Sequence, residues 1–252
     1  MANVLHIQNL SLGYPGLTLC SELSFNIDSG ATLAVVGANG SGKSTFIKTL
    51  LALHKPTEGQ LQWSEGRPQN IGYLAQMTEF DRTFPLRVKD VAAMGQWKNF
   101  GLMSGLERKQ RERVTEALNE AGVLEIADQP LHTLSGGQLQ RTLFARVIMQ
   151  DASLILLDEP FAAVDQKTEA HLMHIINHWR EEGRAVVMVL HDLSSVLDHC
   201  THALLLGNGK ASHGLVQDVL SADNLVQHGY FSQSQAQWMF GDRASQRAGS
   251  DV

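Results

Sequence analysis

The segment Gly37-Ala38-Asn39-Gly40-Ser41-Gly42-Lys43-Ser44-Thr45 follows a continuously apolar run, "TLAVVG", and opens a stretch carrying Phe46, Ile47 and Leu50. Glycines at its first, fourth and sixth positions let backbone amides converge on phosphate oxygens, and a helix starting there offers its positive end to the same anion. In this full P-loop pattern Lys43 reaches the β- and γ-phosphates and Ser44 ligates Mg²⁺. A second cradle lies farther along, in "HTLSGGQLQR" at residues 132–141. There Ser135 can cap a helix, while Gly136 and Gly137 leave the backbone open to a bound group. One chain with two phosphate cradles poses a question about what the second is for.

Asp158 and Glu159 end the apolar run in "SLILLDEP". An acid in that place can hold the Mg²⁺ shell while its neighbour orients or deprotonates water. By itself such a pair reads equally well as solvated acids at a strand end; beside a P-loop it reads as a Walker B element. His171, His174 and His178 fall on one helical stripe. That spacing can chelate zinc, but no acid or cysteine completes a set, and a solvated face with three unrelated histidines is the preferred reading. His199, Cys200 and His202 are weak for the same reason.

The elements that must position these groups follow from periodicity. Leu10, Leu12 and Tyr14, then Leu23, Phe25 and Ile27, alternate as half-buried antiparallel strands do. "TLAVVG", "SLILLDEP" and "RAVVMVLHD" are instead apolar throughout, the pattern of strands buried on both faces. Helices follow the P-loop, Ser135 and the acids. The first should run to His54 and Lys55, whose positive character suits its end, and stop at Pro56. Val114, Leu118 and Ala121 mark one more helix, and Leu172, Ile175, Ile176 and Trp179 another that closes at Gly183. "LLLGNGKASHG" carries an Asn-Gly hairpin turn. The expected fold is α/β: a P-loop NTPase core with a mostly parallel sheet, an N-terminal antiparallel β subdomain and an inserted α-helical subdomain. The domain should span 1–230, with its core at 1–76 and 150–230 and the helical part at 77–149; 231–252, rich in Gln, Ser and Ala, reads as a loose tail.

Composition excludes several classes. A net charge of −6 argues against a general nucleic-acid binder. Two cysteines in no paired motif fit a reducing compartment. No basic leader precedes an apolar run at the start, and no run approaches the ~18 residues that cross a bilayer, so a soluble cytoplasmic chain is expected.

Taken in order, the P-loop, "LSGGQ", "LILLDEP" and a later strand ending in histidine resemble the ATP-binding cassette family over about residues 3–225. That resemblance implies ATP and Mg²⁺ as ligands, and it implies a use for the second cradle. Two cassettes pair head to tail, so Ser135, Gly136, Gly137 and Gln138 would close on the γ-phosphate held by a second copy's P-loop. Carried over residue by residue, Tyr14 takes the place of an aromatic that stacks on adenine; packing within the sheet is its alternative. Gln76 matches the Q-loop glutamine that senses Mg²⁺, Glu159 the catalytic acid, and His191 the switch histidine. Asp165 in "FAAVD" matches the D-loop, which communicates across the dimer, although Ala162 stands where the family commonly has serine.

The stretch "FDRTFPLRVKDVAAMGQW" just after Gln76 is similar to cassettes of zinc and manganese importers. The resemblance implies the ATPase subunit of a metal importer, with zinc favoured and manganese next. Such a subunit sits peripherally on the inner face of the cell membrane, against a separate permease and, indirectly, a periplasmic or extracellular metal-binding protein. Iron-chelate or cobalamin import, a non-transport ATPase such as an iron–sulfur assembly factor, and a nucleotide-gated module without turnover are the alternatives. Glu159 and His191 together speak against the last. For a permease to dock, at least one of Phe80, Phe84 and Trp97 must be partly exposed.

Overall fold

The computed structural model describes residues 3–68, 70–76, 81–99, 107–162 and 164–238, with Trp97, Lys98 and Asn99 described in backbone only. The chain forms two compact units, one of Pro68–Met188 and one of Ala2–Arg67 with Val189–Val252.

The second of these begins with an antiparallel hairpin of β1 (Asn3–Tyr14) and β2 (Leu17–Asp28). Leu10, Leu12, Leu23, Phe25 and Ile27 are buried, as their alternation requires, and Tyr14 stands 46% exposed. β3 (Thr32–Gly37) is buried at every position and runs through the glycine loop into α1 (Lys43–Leu50). β4 (Glu58–Trp63) then pairs antiparallel with β1, giving the order β2-β1-β4.

Helix α1 ends earlier than expected. Ala52 takes φ 56, the Leu53 amide donates to the Lys48 carbonyl at 2.8 Å, and the Ala52 amide donates to Thr49 at 3.0 Å. This pair of bonds is the Schellman closure, which satisfies the last carbonyls without any basic side chain. His54 and Lys55 therefore do not cap the helix.

In the Pro68–Met188 unit, β5 (Gly72–Leu74) leads to α2 (Val88–Ala93), a 3-10 stretch at Met94–Asn99, α3 (Arg108–Glu120) and α4 (Gly136–Gln150). β6 (Leu154–Asp158), α5 (Gln166–Glu181) and β7 (Ala185–Val189) complete it. Its strands lie in the order β5-β6-β7, with β5 parallel to β6. Among the described residues between β5 and β6 there are helices and one isolated bridge, Arg87 to Pro130. This is the inserted helical part. Phe144 of α4 stacks on Trp179 of α5, ring centres 6.0 Å apart and planes within 5°, so the helix behind the second cradle is fixed by large buried rings.

The chain closes with α6 (Leu193–His199), β8 (His202–Gly207), β9 (Lys210–Leu215), α7 (Val216–Val219) and α8 (Ala222–Gln227). β3 runs parallel to β8, and β9 returns antiparallel through Asn208 and Gly209, at φ 50 and 73. Both positive angles are what a two-residue turn between twisted strands demands, and Asn-Gly supplies them. Residues 233–238 are helical and Ala236 is buried, so the first part of the expected loose tail is structured; 239–252 lie outside the described residues.

His213 of β9 stacks on Phe25, centres 4.1 Å apart, with the His202 ring 5.9 Å away. Burial, then the neighbouring His202, push the His213 imidazole down from 6.5 to about 4. Between those values the unfolded chain binds a proton that the folded chain refuses, so this group's contribution to stability is intact near neutrality and is lost as pH falls. Urea unfolding at pH 7.5, 6 and 5 is expected to show a steeper loss of stability for the natural chain than for His213→Phe.

Candidate functional site

At the P-loop, the fold leaves no room for a side chain where β3 ends. A Cβ on Gly37 would lie 2.3 Å from the Leu206 carbonyl oxygen and 2.4 Å from Ser41 Oγ. Gly42, at φ 106, starts α1 with no side-chain cap. The first amides of a helix have no partner within it, so this end of α1 offers its donors outward. Lys43 is buried, and its Nζ donates to the carbonyls of Gly37 and Ala38 at 2.7 and 3.0 Å, which holds the ammonium inside the loop. Ser41 Oγ is buried with no hydrogen-bond partner among the described residues. Leaving such a group unmet costs about 1–3 kcal/mol, and a phosphate oxygen in the cradle would meet it. The loop fits a nucleotide's phosphates on those grounds. Asn39, Gly40 and Ser44 are exposed, and Thr45 is buried.

Tyr14 stands beside this loop. Its hydroxyl is 3.3 Å from Thr45 Oγ1, and its ring centre is 4.9 Å from that of His54. It stands half-exposed at the hairpin tip, at the end of β1. His191, in the same unit, is exposed just past β7. Its backbone carbonyl accepts the Tyr230 hydroxyl at 2.5 Å, and Asp192 caps α6 by accepting from the Ser195 amide at 2.9 Å. That bond, with others to Ser195 and Ser194, holds the Asp192 carboxyl below the usual range despite partial burial.

The Pro68–Met188 unit carries the acids. Asp158 is 8% exposed at the end of β6. Glu159 sits at φ 52, a left-handed backbone that costs a residue with a side chain about 1–3 kcal/mol. Its Oε2 accepts from Gln76 Nε2 at 3.0 Å. The turn is held from two sides: the Ala162 amide donates to the Glu159 carbonyl at 3.2 Å, and the buried Gln140 Nε2 donates to the Pro160 carbonyl at 2.6 Å.

The second cradle is an N-cap. Ser135 Oγ accepts from the Gln138 amide at 3.2 Å, and Gln138 Oε1 accepts from the Ser135 amide at 2.9 Å. This reciprocal capping box consumes the Gln138 side-chain oxygen. The Ser135 hydroxyl, however, keeps its own proton to donate, and Ser135 is exposed at the start of α4. Asp165 is likewise a cap, accepting from the Thr168 amide at 2.7 Å. Thr168's hydroxyl and amide hold the Asp165 carboxyl below its ordinary range.

The histidine stripe on α5 does not gather. His171 Nε2 meets the Glu120 carbonyl at 2.9 Å, and His178 Nε2 lies 3.4 Å from Glu182 Oε1. No group of three potential metal ligands forms among the described residues. Periodicity carries no signal for Gln140, Tyr230 and His54, because each acts on a group distant in sequence.

A strand–glycine loop–helix cradle around a buried lysine, with a strand-end Asp-Glu pair, defines a P-loop nucleoside triphosphatase. Known proteins sharpen this class. The ABC transporter family profile matches residues 20–162. The manganese transport system ATP-binding protein MntB of Bacillus subtilis is 33% identical over 87% of the chain and 89% of its own length. The chelated iron transport system membrane protein YfeB of Yersinia pestis is 32% identical over 87% of the chain and 76% of its own. Among solved structures, an inward-facing transporter described as of the metal-chelate ABC type superposes with a TM-score of 0.81 at 28% identity, over 90% of this chain and 89% of that one. The chain belongs to the ABC transporter family, and within it to the ATP-binding, ATP-hydrolysing cassettes that drive transport.

The capping box has a stability of its own. Ser135→Ala is expected to destabilise the fold by about 1 kcal/mol, the usual worth of an N-cap, measured by urea unfolding without nucleotide. A stability equal to the natural chain's would mean that α4 does not depend on that cap.

Proposed function

We propose that this cassette energises import of a divalent transition metal through a separate membrane permease, with manganese the first cargo to test. The observation that carries the reading is a pair of exposed large apolar side chains in the segment that follows Gln76. Phe84 is 58% exposed and Met94 is 40% exposed. Phe80 and the Trp97 side chain lie outside the described residues. Among the described residues no helix is long and apolar enough to cross a membrane, so a transport ATPase of this kind needs a membrane partner, and exposed aromatics are the usual anchors of such contacts. The relatives' names speak of manganese and of chelated iron, which moves manganese ahead of zinc and keeps an iron chelate as the second cargo. A binding protein outside the membrane would deliver the metal.

In the proposed chemistry the P-loop amides, Ser41 and Lys43 hold the phosphates of ATP, and Tyr14 stacks on adenine. Ser44, Asp158 and Gln76 would be the residues to hold Mg²⁺, which would supply positive charge to offset that of the phosphates. Glu159 orients the attacking water, and His191 contacts the γ-phosphate. The cradle at Ser135, Gly136, Gly137 and Gln138 serves a second copy of the chain. A hydroxyl proton and two glycine amides on an exposed helix start are donors suited to an anion brought by another molecule. Asp165, already a helix cap, lies on the D-loop that would meet the partner.

Replacing Glu159 with Gln keeps the size and the contact with Gln76 but removes the base. ATP binding should persist while hydrolysis falls on the order of 10²- to 10⁴-fold. Size-exclusion chromatography should then show an ATP-dependent dimer. Natural turnover by this variant would assign catalysis to another residue.

Phe84→Ala should leave basal ATPase activity and melting temperature near those of the natural chain, because the ring is largely in solvent. Manganese uptake by vesicles containing the assembled transporter should fall at least several-fold. Undiminished uptake would remove Phe84 from the docking surface, and uptake of zinc in preference to manganese would restore zinc as the cargo.

A further inference from the structure

Tyr14 sits at the tip of a hairpin with its ring half in water. A side chain so placed has rotamers to choose among, and holding it in one for a base to stack on carries an entropy cost. Two contacts limit that choice. The hydroxyl reaches Thr45 Oγ1 in the first turn of α1, and the ring lies against His54, whose plane is tilted by 51° to it.

His54 is itself fixed from three directions. Its Nε2 is 2.8 Å from the carbonyl of Gly13, the residue before Tyr14. A carbonyl only accepts, so Nε2 carries the proton and donates it. The His54 backbone amide donates to the Lys48 carbonyl at 3.2 Å, alongside the Leu53 amide that closes α1. Downstream, the Thr57 amide and hydroxyl both donate to the Ser11 carbonyl of β1, at 2.9 and 3.0 Å. The loop after α1 is therefore stitched to the helix at one end and to β1 at the other, with the imidazole between them.

We infer that His54 is a positioning residue for the base-binding platform. It holds Tyr14 in the orientation that receives adenine, and so ties base recognition to the helix that holds the phosphates. This rests on the reading of Tyr14 as the adenine platform. His54 touches no nucleotide in this scheme; it acts by reducing the freedom Tyr14 would otherwise lose on binding.

The test compares ATP with inorganic tripolyphosphate, which offers the P-loop its anions but brings no base. Calorimetric titration of the full chain with each ligand separates the two parts of the site. His54→Ala is expected to weaken ATP about two- to tenfold, the range for loss of one aromatic contact, and to leave tripolyphosphate unchanged. His54→Gln keeps an N–H donor for the Gly13 carbonyl but no ring. It should show the same selective loss with normal stability, which covers the case in which the alanine variant folds poorly. With Tyr14→Ala already present, adding His54→Ala should weaken ATP no further, since the two residues act through one contact. Natural ATP affinity in His54→Gln, or equal loss of ATP and tripolyphosphate, overturns the inference. A Tyr14→Ala variant that binds ATP as the natural chain does removes the platform reading itself, and the inference with it.

Discussion

The start of α1 cannot satisfy its own amides, and much of the architecture around it keeps them that way. Other helices in the chain solve this problem internally. α4 begins on Ser135, α5 on Asp165 and α6 on Asp192, and each side chain accepts from the third amide of its helix. α1 begins on Gly42, which has nothing to offer. The neighbouring constraints act in the same direction. A Cβ on Gly37 would collide with the Leu206 carbonyl, Lys43 is drawn in by two loop carbonyls, and Ser41 Oγ is buried without a partner among the described residues. A loop built this way is costly until an anion enters it, and that cost is recovered as binding energy.

The second cradle uses the same physics with a different balance. Its cap is complete, so α4 stands without a ligand, yet the Ser135 proton and the first two amides stay available. A site that must exist before its nucleotide arrives needs internal stability. A site that grips its own nucleotide can leave its donors unpaid. This difference matches the proposed division of labour, in which each chain binds ATP at its own P-loop and closes the signature over a second copy's.

Much of this was legible in the residues, because the elements concerned are specified locally. The buried strands β3, β6 and β7 are uninterrupted apolar runs, the Asn208-Gly209 turn announces its positive angles, and Ser135 before a glycine pair is a helix cap in plain view. The helix end at Leu50 was not legible: His54 and Lys55 offered charges suited to a helix end, but a left-handed Ala52 closed the helix first, and no side chain there announces that angle. Motif spacing pointed to Gln76, Glu159 and His191 but not to what restrains them. Gln140 on the Pro160 carbonyl, Tyr230 on the His191 carbonyl and His54 on the Gly13 carbonyl all join side chains to backbone across at least twenty residues, contacts that exist only once the chain has folded.

Glu159 shows what those restraints achieve. Its backbone is held in a disfavoured conformation by Ala162 and by the Gln140 bond to Pro160, which sets the direction in which its carboxylate leaves the chain. Gln76 then takes one carboxylate oxygen. A hydrogen bond of this kind has a net worth of only about 1.5–3 kcal/mol when one partner is charged, enough to hold the acid in one position yet small enough to be exchanged. Phe84 and Met94, both exposed, follow Gln76 in the chain by eight and eighteen residues. On the proposed reading, a partner that grips those side chains acts on the segment that holds Gln76, and through Gln76 on the acid that activates water. Coupling of transport to hydrolysis would then start from Phe84, eight residues past the glutamine that restrains Glu159.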